Sequence, residues 1–340
     1  MSSIIPTQST IRVEKIRAAI ALNAAELGIR PEFARIHPKF HLHTYTALPS
    51  TSTQLWKLLA AGAPSGTVVI AQQQSAGKGQ RGRTWESPSG GLYLSLGLEP
   101  NWPVKHSAQL TCLSAWGIAT ALNNLGIDVQ IKWPNDLLFR GKKLGGILTE
   151  TKLSQAPESA PQDSPSKASE ESKTKIKQAV IGVGINWHNP TPHTGISLAK
   201  VIEEIPSELG KNKINCLEML IAIVLRGILQ GVLFQQQVSS QVFMKSYRKL
   251  LTQVGQTVSL DSSGKLSLAT PAVHPHPHSW ANRSGEVIGI SEEGYLQVAL
   301  HPAFSRDNAP SLTGLSSTDL GPADSVENIL LLKPSEIHIS

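Results

Sequence analysis

The chain has 340 residues, 40% of them hydrophobic and 16% charged, with a formal net charge of +6. That length suggests two domains with appendages, at roughly 100–200 residues per domain. No apolar run approaches the ~20 residues that span a bilayer, and two cysteines, Cys112 and Cys216, encode neither a disulfide framework nor a thiolate metal site. The first residues do not read as a secretory signal, so a cytoplasmic, reducing location is expected. The basic residues are spread along the chain without a block of five or more, so the positive balance does not by itself point to nucleic acid.

Taken in chain order, Ile16, Ile20 and Leu27 are spaced for one helix within residues 11–27. One helix is too little for a helix-turn-helix core, so no DNA binding is expected. A second helix is expected from about Thr53, capped by Ser52 or Thr53, with Leu55, Leu58 and Leu59 on one face and Gly62 at its end. A strand rich in β-branched residues follows at 67–72, then a glycine-rich stretch at 77–91 and a strand at 92–98. Residues 107–125 read as a buried helix closed by Gly126. Strands are expected at 129–133, 143–150 and 178–185. The segment 154–175, rich in Ser, Lys, Glu, Gln and Pro, reads as a disordered insertion. Helices follow near 198–205 and at 217–233, the latter almost continuously apolar and therefore buried. Beyond a break near 247–251, short strands at 257–260, 285–290, 295–300 and 329–332 describe a small β domain. Low-complexity interruptions are expected at 262–278 and 301–323. Within the first of these, His274-Pro275-His276-Pro277-His278 favours a polyproline conformation that splays alternate side chains apart, and reads as a loop rather than a metal site. The expected division is an extension at 1–44, a catalytic domain at 45–246 and the β domain at 247–340. Cys112 and Cys216 are expected in apolar helices, as packing residues.

The run Gly77-Lys78-Gly79-Gln80-Arg81-Gly82-Arg83-Thr84-Trp85 combines three glycines with three cations. Glycines let backbone N–H groups approach an anion closely, and Lys and Arg suit phosphates. The run also matches G-x-G-x-x-G literally. That fingerprint needs a helix to begin on its last glycine, which Pro88, Gly90 and Gly91 forbid. A Walker A loop fails as well, with Gln72 in place of its first glycine and Gly79 in place of its Ser or Thr.

Three further motifs accompany the loop. Lys132-Trp133-Pro134-Asn135-Asp136 ends a strand, where Pro134 stops the ladder and Asn135 and Asp136 project. In Lys143-Leu144-Gly145-Gly146-Ile147-Leu148 a lysine precedes two glycines opening an apolar strand. Gly182-Val183-Gly184-Ile185-Asn186 repeats that device and ends on an amide. Glycine within a strand marks a bulge or the close approach of a ligand.

These four motifs, in this order, resemble the biotin–protein ligases, also called holocarboxylase synthetases, of the type without an N-terminal winged helix. The resemblance covers about Tyr45 to the C-terminus, less the insertions. It implies an α+β fold: a mixed β-sheet backed by helices, class II synthetase-like, followed by a small SH3-like β-barrel. It also implies two half-reactions. Biotin and Mg2+ with ATP give biotinyl-5′-adenylate, and a lysine of a biotin carboxyl carrier protein, such as that of acetyl-CoA carboxylase, then takes the acyl group. By resemblance Lys143 bridges the biotin carboxylate and the phosphate, while Lys78, Arg81 and Arg83 lie in a loop over the adenylate, folded tightly by Gly77, Gly79 and Gly82. Ser52, Thr53 and Gln74 resemble the groups that bind the ureido ring. Gly146, Leu148 and Gly182 resemble the walls of the biotin slot, with Lys78 and Lys143 also facing biotin. Asn186 is expected at the adenine, Asp136 and Asn135 at ATP or magnesium, and Trp85 beneath the loop. Gln80 stands where many relatives have Arg, and Gln54 where they have Asn. The nearest alternative is a lipoate or octanoate protein ligase or transferase of the same fold. No membrane partner is expected, and the protein is a monomer or a homodimer.

Overall fold

The computed structural model describes residues 11–154, 174–205, 214–260, 266–268, 283–301 and 329–333. Most of the insertion expected at 154–175, the His-Pro run, and all but the first residue of the interruption at 301–323 lie outside them. The chain divides into two compact units, one up to Thr252 and one from Gln253.

The first unit opens with α1 (Val13–Ile20), shorter than the spacing suggests. Beyond it the Asn23 Oδ1 accepts from the backbone N–H of Glu26 at 3.0 Å, a local turn that competes with helix. Ile16, Leu27 and Phe33 are nevertheless fully buried. Then comes β1 (His41–Leu48), which the sequence did not suggest. Its residues are half-buried or exposed without alternation, so no period-two signal marks it. Helix α2 (Thr51–Ala60) starts earlier than expected. Ser50 is its cap, its hydroxyl accepting from the Thr53 N–H at 3.5 Å, which puts Thr51 and Ser52 in the first turn.

β2 (Thr67–Gln74) and β3 (Leu92–Leu98) follow, then the buried helix α3 (Ser107–Asn124). Four more strands complete the sheet: β4 (Val129–Lys132), β5 (Asp136–Phe139), β6 (Lys142–Leu153) and β7 (Ile176–Ile185). The order is β1-β2-β3-β7-β6-β5-β4. Only β1 and β2 pair in parallel, so the sheet is mixed. β5 forms a hairpin with β4, a step not expected after Pro134.

Helices α4 (Leu198–Glu204), α5 (Leu217–Gln237) and α6 (Ser240–Arg248) complete this unit. By length and composition α5 could cross a membrane, but 83% of its most apolar window is buried inside the protein. It is a core helix, longer and more apolar than the sequence reading allowed. It packs on α3 through glycine: a Cβ on Gly117 would lie 2.0 Å from the Gly227 carbonyl oxygen, and one on Gly231 2.1 Å from that of Leu113. Gln230 adds a 2.7 Å hydrogen bond from Nε2 to the Gly117 carbonyl. Burial pushes the Cys112 thiol on α3 up to about 12, which keeps it protonated and unreactive. Cys216 caps α5 rather than lying within it.

The second unit is a five-stranded antiparallel sheet. Its strands are β8 (Thr257–Leu260), β9 (Leu266–Leu268), β10 (Arg283–Ile290), β11 (Leu296–Leu300) and β12 (Ile329–Leu332), in the order β12-β11-β10-β8-β9. Val258, Val287, Ile290, Leu296 and Val298 form its core. β9 falls where the sequence suggested only low complexity. Its three residues pair with Val258–Leu260, and so short a run carries no pattern of its own.

A methyl group at the α3–α5 crossing would have to push backbone apart. Gly231→Ala should therefore destabilise the first unit by about 1–3 kcal/mol, as a lowered urea midpoint with an unchanged slope.

Candidate active site

The site forms where β6 and β7 lie side by side. Gly146 pairs with Gly184, and Leu148 with Gly182. Missing side chains open the sheet face here. A Cβ on Gly184 would lie 2.4 Å from the Trp85 Nε1, one on Gly146 3.3 Å from the Trp85 Cζ3, and one on Gly182 2.9 Å from the Ser52 Oγ. The indole of Trp85 rests on this glycine surface, its Nε1 buried without a hydrogen-bond partner.

The loop before Trp85 is a small hairpin. Lys78 bridges Thr84. The Gly79 N–H donates to the Arg83 carbonyl at 2.7 Å, and the Trp85 N–H to that of Gly77 at 2.9 Å. At its tip Arg81 and Gly82 both have positive φ, 58° and 71°, the geometry of a tight primed turn. Lys78, Gly79, Gln80, Arg83, Thr84 and Trp85 line one side of a pocket whose other side is Gly146–Leu148 and Gly182–Gly184.

One end of this pocket is polar and neutral. Gln74 Oε1 accepts from the Thr51 N–H at 2.8 Å, while its Nε2 donates to Ser87 Oγ at 2.8 Å. The Thr51 and Ser52 hydroxyls meet the Ser95 hydroxyl at 2.8 and 3.1 Å. Ser52 and Ser95 are buried, so these groups are held in fixed orientations rather than solvated.

The other end is charged. Lys143 Nζ lies 2.7 Å from Asp136 Oδ1 and 5.2 Å from the centre of the Trp85 ring. The Lys143 backbone is fixed on both sides, its N–H donating to Thr194 O and its carbonyl accepting from the Ile196 N–H, each at 2.9 Å. Lys78 Nζ meets Glu150 Oε1 at 3.3 Å. Desolvation, then repulsion from Arg83, lowers the Arg81 pKa from its ordinary 12.5. An arginine stays charged regardless. The pocket thus presents cations and glycine backbone at one end, and neutral donors and acceptors at the other.

Residues 45–159 match the family model described as the biotin/lipoate A/B protein ligase family. The chain is 33% identical over 214 residues to the bifunctional ligase/repressor BirA of Bacillus subtilis, covering 62% of this chain and 55% of that protein. It is 38% identical over 105 residues to a biotin–[acetyl-CoA-carboxylase] ligase of Paracoccus denitrificans, covering 30% of this chain and 43% of that protein. The chain spans about half the length of the curated relatives it matches. Among solved structures, the apo biotin protein ligase of Aquifex aeolicus aligns with a TM-score of 0.55 at 17% identity, over 88% of this chain and 97% of that one. That likeness shows a shared α+β fold. Together these matches make the chain similar to biotin protein ligases over part of its length.

Of the residues that the ligase resemblance singled out, Ser52, Gln74, Lys78, Gly79, Arg83, Trp85, Asn135, Asp136, Lys143, Gly146, Leu148 and Gly182 line this one pocket. Asn135 also pins β6, its Nδ2 donating to the Ile147 carbonyl at 2.9 Å. Thr53, Gly77, Arg81, Gly82 and Asn186 do not line it. Thr53 is one residue too far along α2, and Thr51 stands in the wall instead. Gly77 lies behind Trp85, where a Cβ would be 2.3 Å from the Trp85 carbonyl oxygen. Arg81 sits at the hairpin tip. Asn186 is buried, with Nδ2 donating to the Lys143 carbonyl at 3.3 Å and Oδ1 accepting from Asn189 at 3.0 Å. The sequence reading missed Thr51 and Ser95. The signal for Ser95 was there: a serine in the apolar run of β3.

Among the described residues no three His, Cys, Asp or Glu side chains cluster to hold a metal. A magnesium ion that arrives with ATP needs little from the protein, since it keeps waters and phosphate oxygens and takes one or two carboxylates. Asp136 fits that requirement.

Trp85 and Gly184 should behave as one unit. Gly184→Ala should cost about 1–3 kcal/mol. In a Trp85→Ala background much of that cost should vanish, giving a coupling of about 0.5–3 kcal/mol in a double-mutant cycle read by urea unfolding.

Proposed function

We propose that the chain activates biotin with ATP as biotinyl-5′-adenylate and transfers it to a lysine of a carboxyl carrier domain. The observation that carries this is the pairing of a neutral hydrogen-bonding end with a cationic end across a glycine-lined slot. Biotin has the same polarity: a ureido ring with donors and an acceptor, an apolar body, and a carboxylate. Ser52, Thr51 and Gln74 are set to meet the ring. Gly146, Leu148 and Gly182 leave width for the body and chain. Lys143 receives the carboxylate, which competes with Asp136 for the ammonium.

In the first step a biotin carboxylate oxygen attacks the α-phosphorus of ATP. The P–O bond to pyrophosphate breaks and a mixed anhydride forms. Two anions must approach, so cations have to screen them. Lys143 stands at the carboxylate, and Lys78, Arg81 and Arg83 are on the hairpin beside it. Asp136, relieved of Lys143, is free to bind magnesium. In the second step the carrier lysine attacks the acyl carbon, the anhydride C–O bond breaks and AMP leaves with the electron pair. The hairpin would keep water from the anhydride. Asn186 braces the Lys143 backbone with one N–H and accepts one bond at Oδ1, which leaves a second N–H and a lone pair for an adenine. The second unit is proposed to close as a small SH3-like barrel.

Lipoate or octanoate transfer is the competing reading, since the matched family includes both. The neutral end argues against it. An alkyl or dithiolane tail makes no hydrogen bond to Gln74, Thr51 or Ser52, so a polar wall of this kind favours a ureido ring over it.

The purified chain with ATP, magnesium and a carrier domain should label the carrier lysine from biotin and not from lipoate. Transfer of lipoate instead would reverse the assignment. Lys143→Ala should lower ATP-dependent pyrophosphate release about 10²–10³-fold, with an unchanged thermal unfolding profile. A normal rate of adenylate formation would remove Lys143 from its role.

A further inference from the structure

A second cavity, of about 490 Å³, lies in the first unit between α1, residues 37–42 and α5. It shares no lining residue with the pocket described above. Its walls hold Arg17 from α1, His37, Lys39 and His41 from the segment that enters β1, and Arg226 from α5. Among the described residues no Asp or Glu lines it. The remaining walls are apolar, Ile20 and Phe40 among them.

Arg226 differs from the other four. They are at the surface, whereas Arg226 is 4% exposed. Among the described residues its side chain makes no hydrogen bond or ion pair. Burial lowers its pKa from the ordinary 12.5, yet a guanidinium remains charged at neutral pH. A buried cation without a counter-charge is costly, because its lost hydration is not replaced. Core packing of the stem with the head reaching out would explain the burial. It would not explain why four further basic groups, and no acid, surround the same opening.

We propose that this cavity binds a small phosphate-bearing molecule, its phosphate held by Arg226 and Arg17 and its body against Phe40 and Ile20. Arginine forks match phosphate oxygens two at a time, and a dianion suits a site where several cations converge. Lys39 and the imidazoles of His37 and His41 rim the opening. The buried position of Arg226 selects a small ligand over an acidic protein surface. A carboxylate on a convex protein could meet Arg17 and Lys39, but only a narrow group reaches a side chain this deep. The volume lies within the range of small-molecule sites, roughly 300–1,000 Å³.

The test uses the full chain with phenyl phosphate as probe, read by 31P line broadening and by thermal unfolding. A ligand that binds only the folded state raises Tm in a saturable way. The wild type should show that rise, and so should Lys143→Ala, whose lesion lies in the other pocket. Arg226→Met should abolish it. The surface double variant Arg17→Ala/Lys39→Ala should weaken binding at least about tenfold, equivalent to 1.4 kcal/mol, and keeps the test valid should Arg226→Met fail to fold. A rise that persists in Arg226→Met, or wild-type affinity in the double variant, would overturn the proposal. So would its loss in Lys143→Ala, which would place the probe in the ligase-like pocket. An equal rise from sodium sulfate at matched ionic strength would reduce the finding to an adventitious ion only. Binding of a polyglutamate peptide that needs Arg17 and Lys39 but not Arg226, without binding of phenyl phosphate, would make the surface a protein-docking face and refute the small-ligand reading.

Discussion

The contact between the Trp85 indole and the bare backbone of β6 and β7 is the constraint on which the site depends. Side chains at 146 and 184 would occupy the space the ring now fills, the one at 184 well inside contact distance. The contact sets the position of the cationic hairpin, because Trp85 is its last residue and is hydrogen-bonded back to Gly77. It also sets the place of Lys143, whose ammonium lies over the same ring. Three motifs that are far apart in sequence are thereby held within one pocket. The fold supplies the two strands; the glycines supply the room.

Each of the two lysines in the pocket has a carboxylate on the same sheet: Lys143 has Asp136 on β5, and Lys78 has Glu150 on β6. Both pairs are partly open to solvent, with Lys143 and Asp136 exposed by 39% and 23% and Lys78 and Glu150 by 43% and 29%. Such pairs stabilise a protein weakly, by about 0–1 kcal/mol. An incoming carboxylate or phosphate can therefore take over either cation at small cost to the fold. The oxygen that Lys78 does not reach, Glu150 Oε2, is buried without a partner. The pairs hold the cations in place without competing strongly for them.

The chemistry of the site was more legible in the sequence than the path of the chain around it. Glycines beside lysine or asparagine in apolar strands, and cations between glycines, have local meanings, and each of these motifs falls on or directly behind the pocket wall. What was not legible depends on partners distant in sequence. β1 is stabilised by pairing with β2 rather than by its own pattern. β5 is too short to show alternation, and an apparent strand end at Pro134 became the turn of a hairpin. The start of α2 slipped because Ser50, Ser52 and Thr53 are all plausible caps, and only the fold shows which hydroxyl meets a free N–H. That slip moved one wall residue from Thr53 to Thr51. Asn186 shows a related ambiguity: an amide at a strand end can face a ligand, brace a neighbouring loop, or do both. Here the brace runs to the carbonyl of Lys143 itself.

That last bond links the two ends of the argument. Lys143 is held by its N–H, by its carbonyl through Ile196 and Asn186, and by Asp136 at the tip of its side chain. Two of the backbone anchors, Asn186 and Ile196, are buried, whereas the tip is half-exposed. The lysine is therefore rigid at its base and exchangeable at its end. In the proposed reaction Lys143 would neutralise a carboxylate and then a phosphate, and electrostatic stabilisation is largest when the charge is already in place. Were the base of Lys143 loose as well, ordering it would consume part of the stabilisation it gives, as each immobilised lysine side chain costs up to about 1.5–2 kcal/mol in lost rotamers. The Asn186 amide and the 194–196 segment meet that cost during folding, before any substrate arrives.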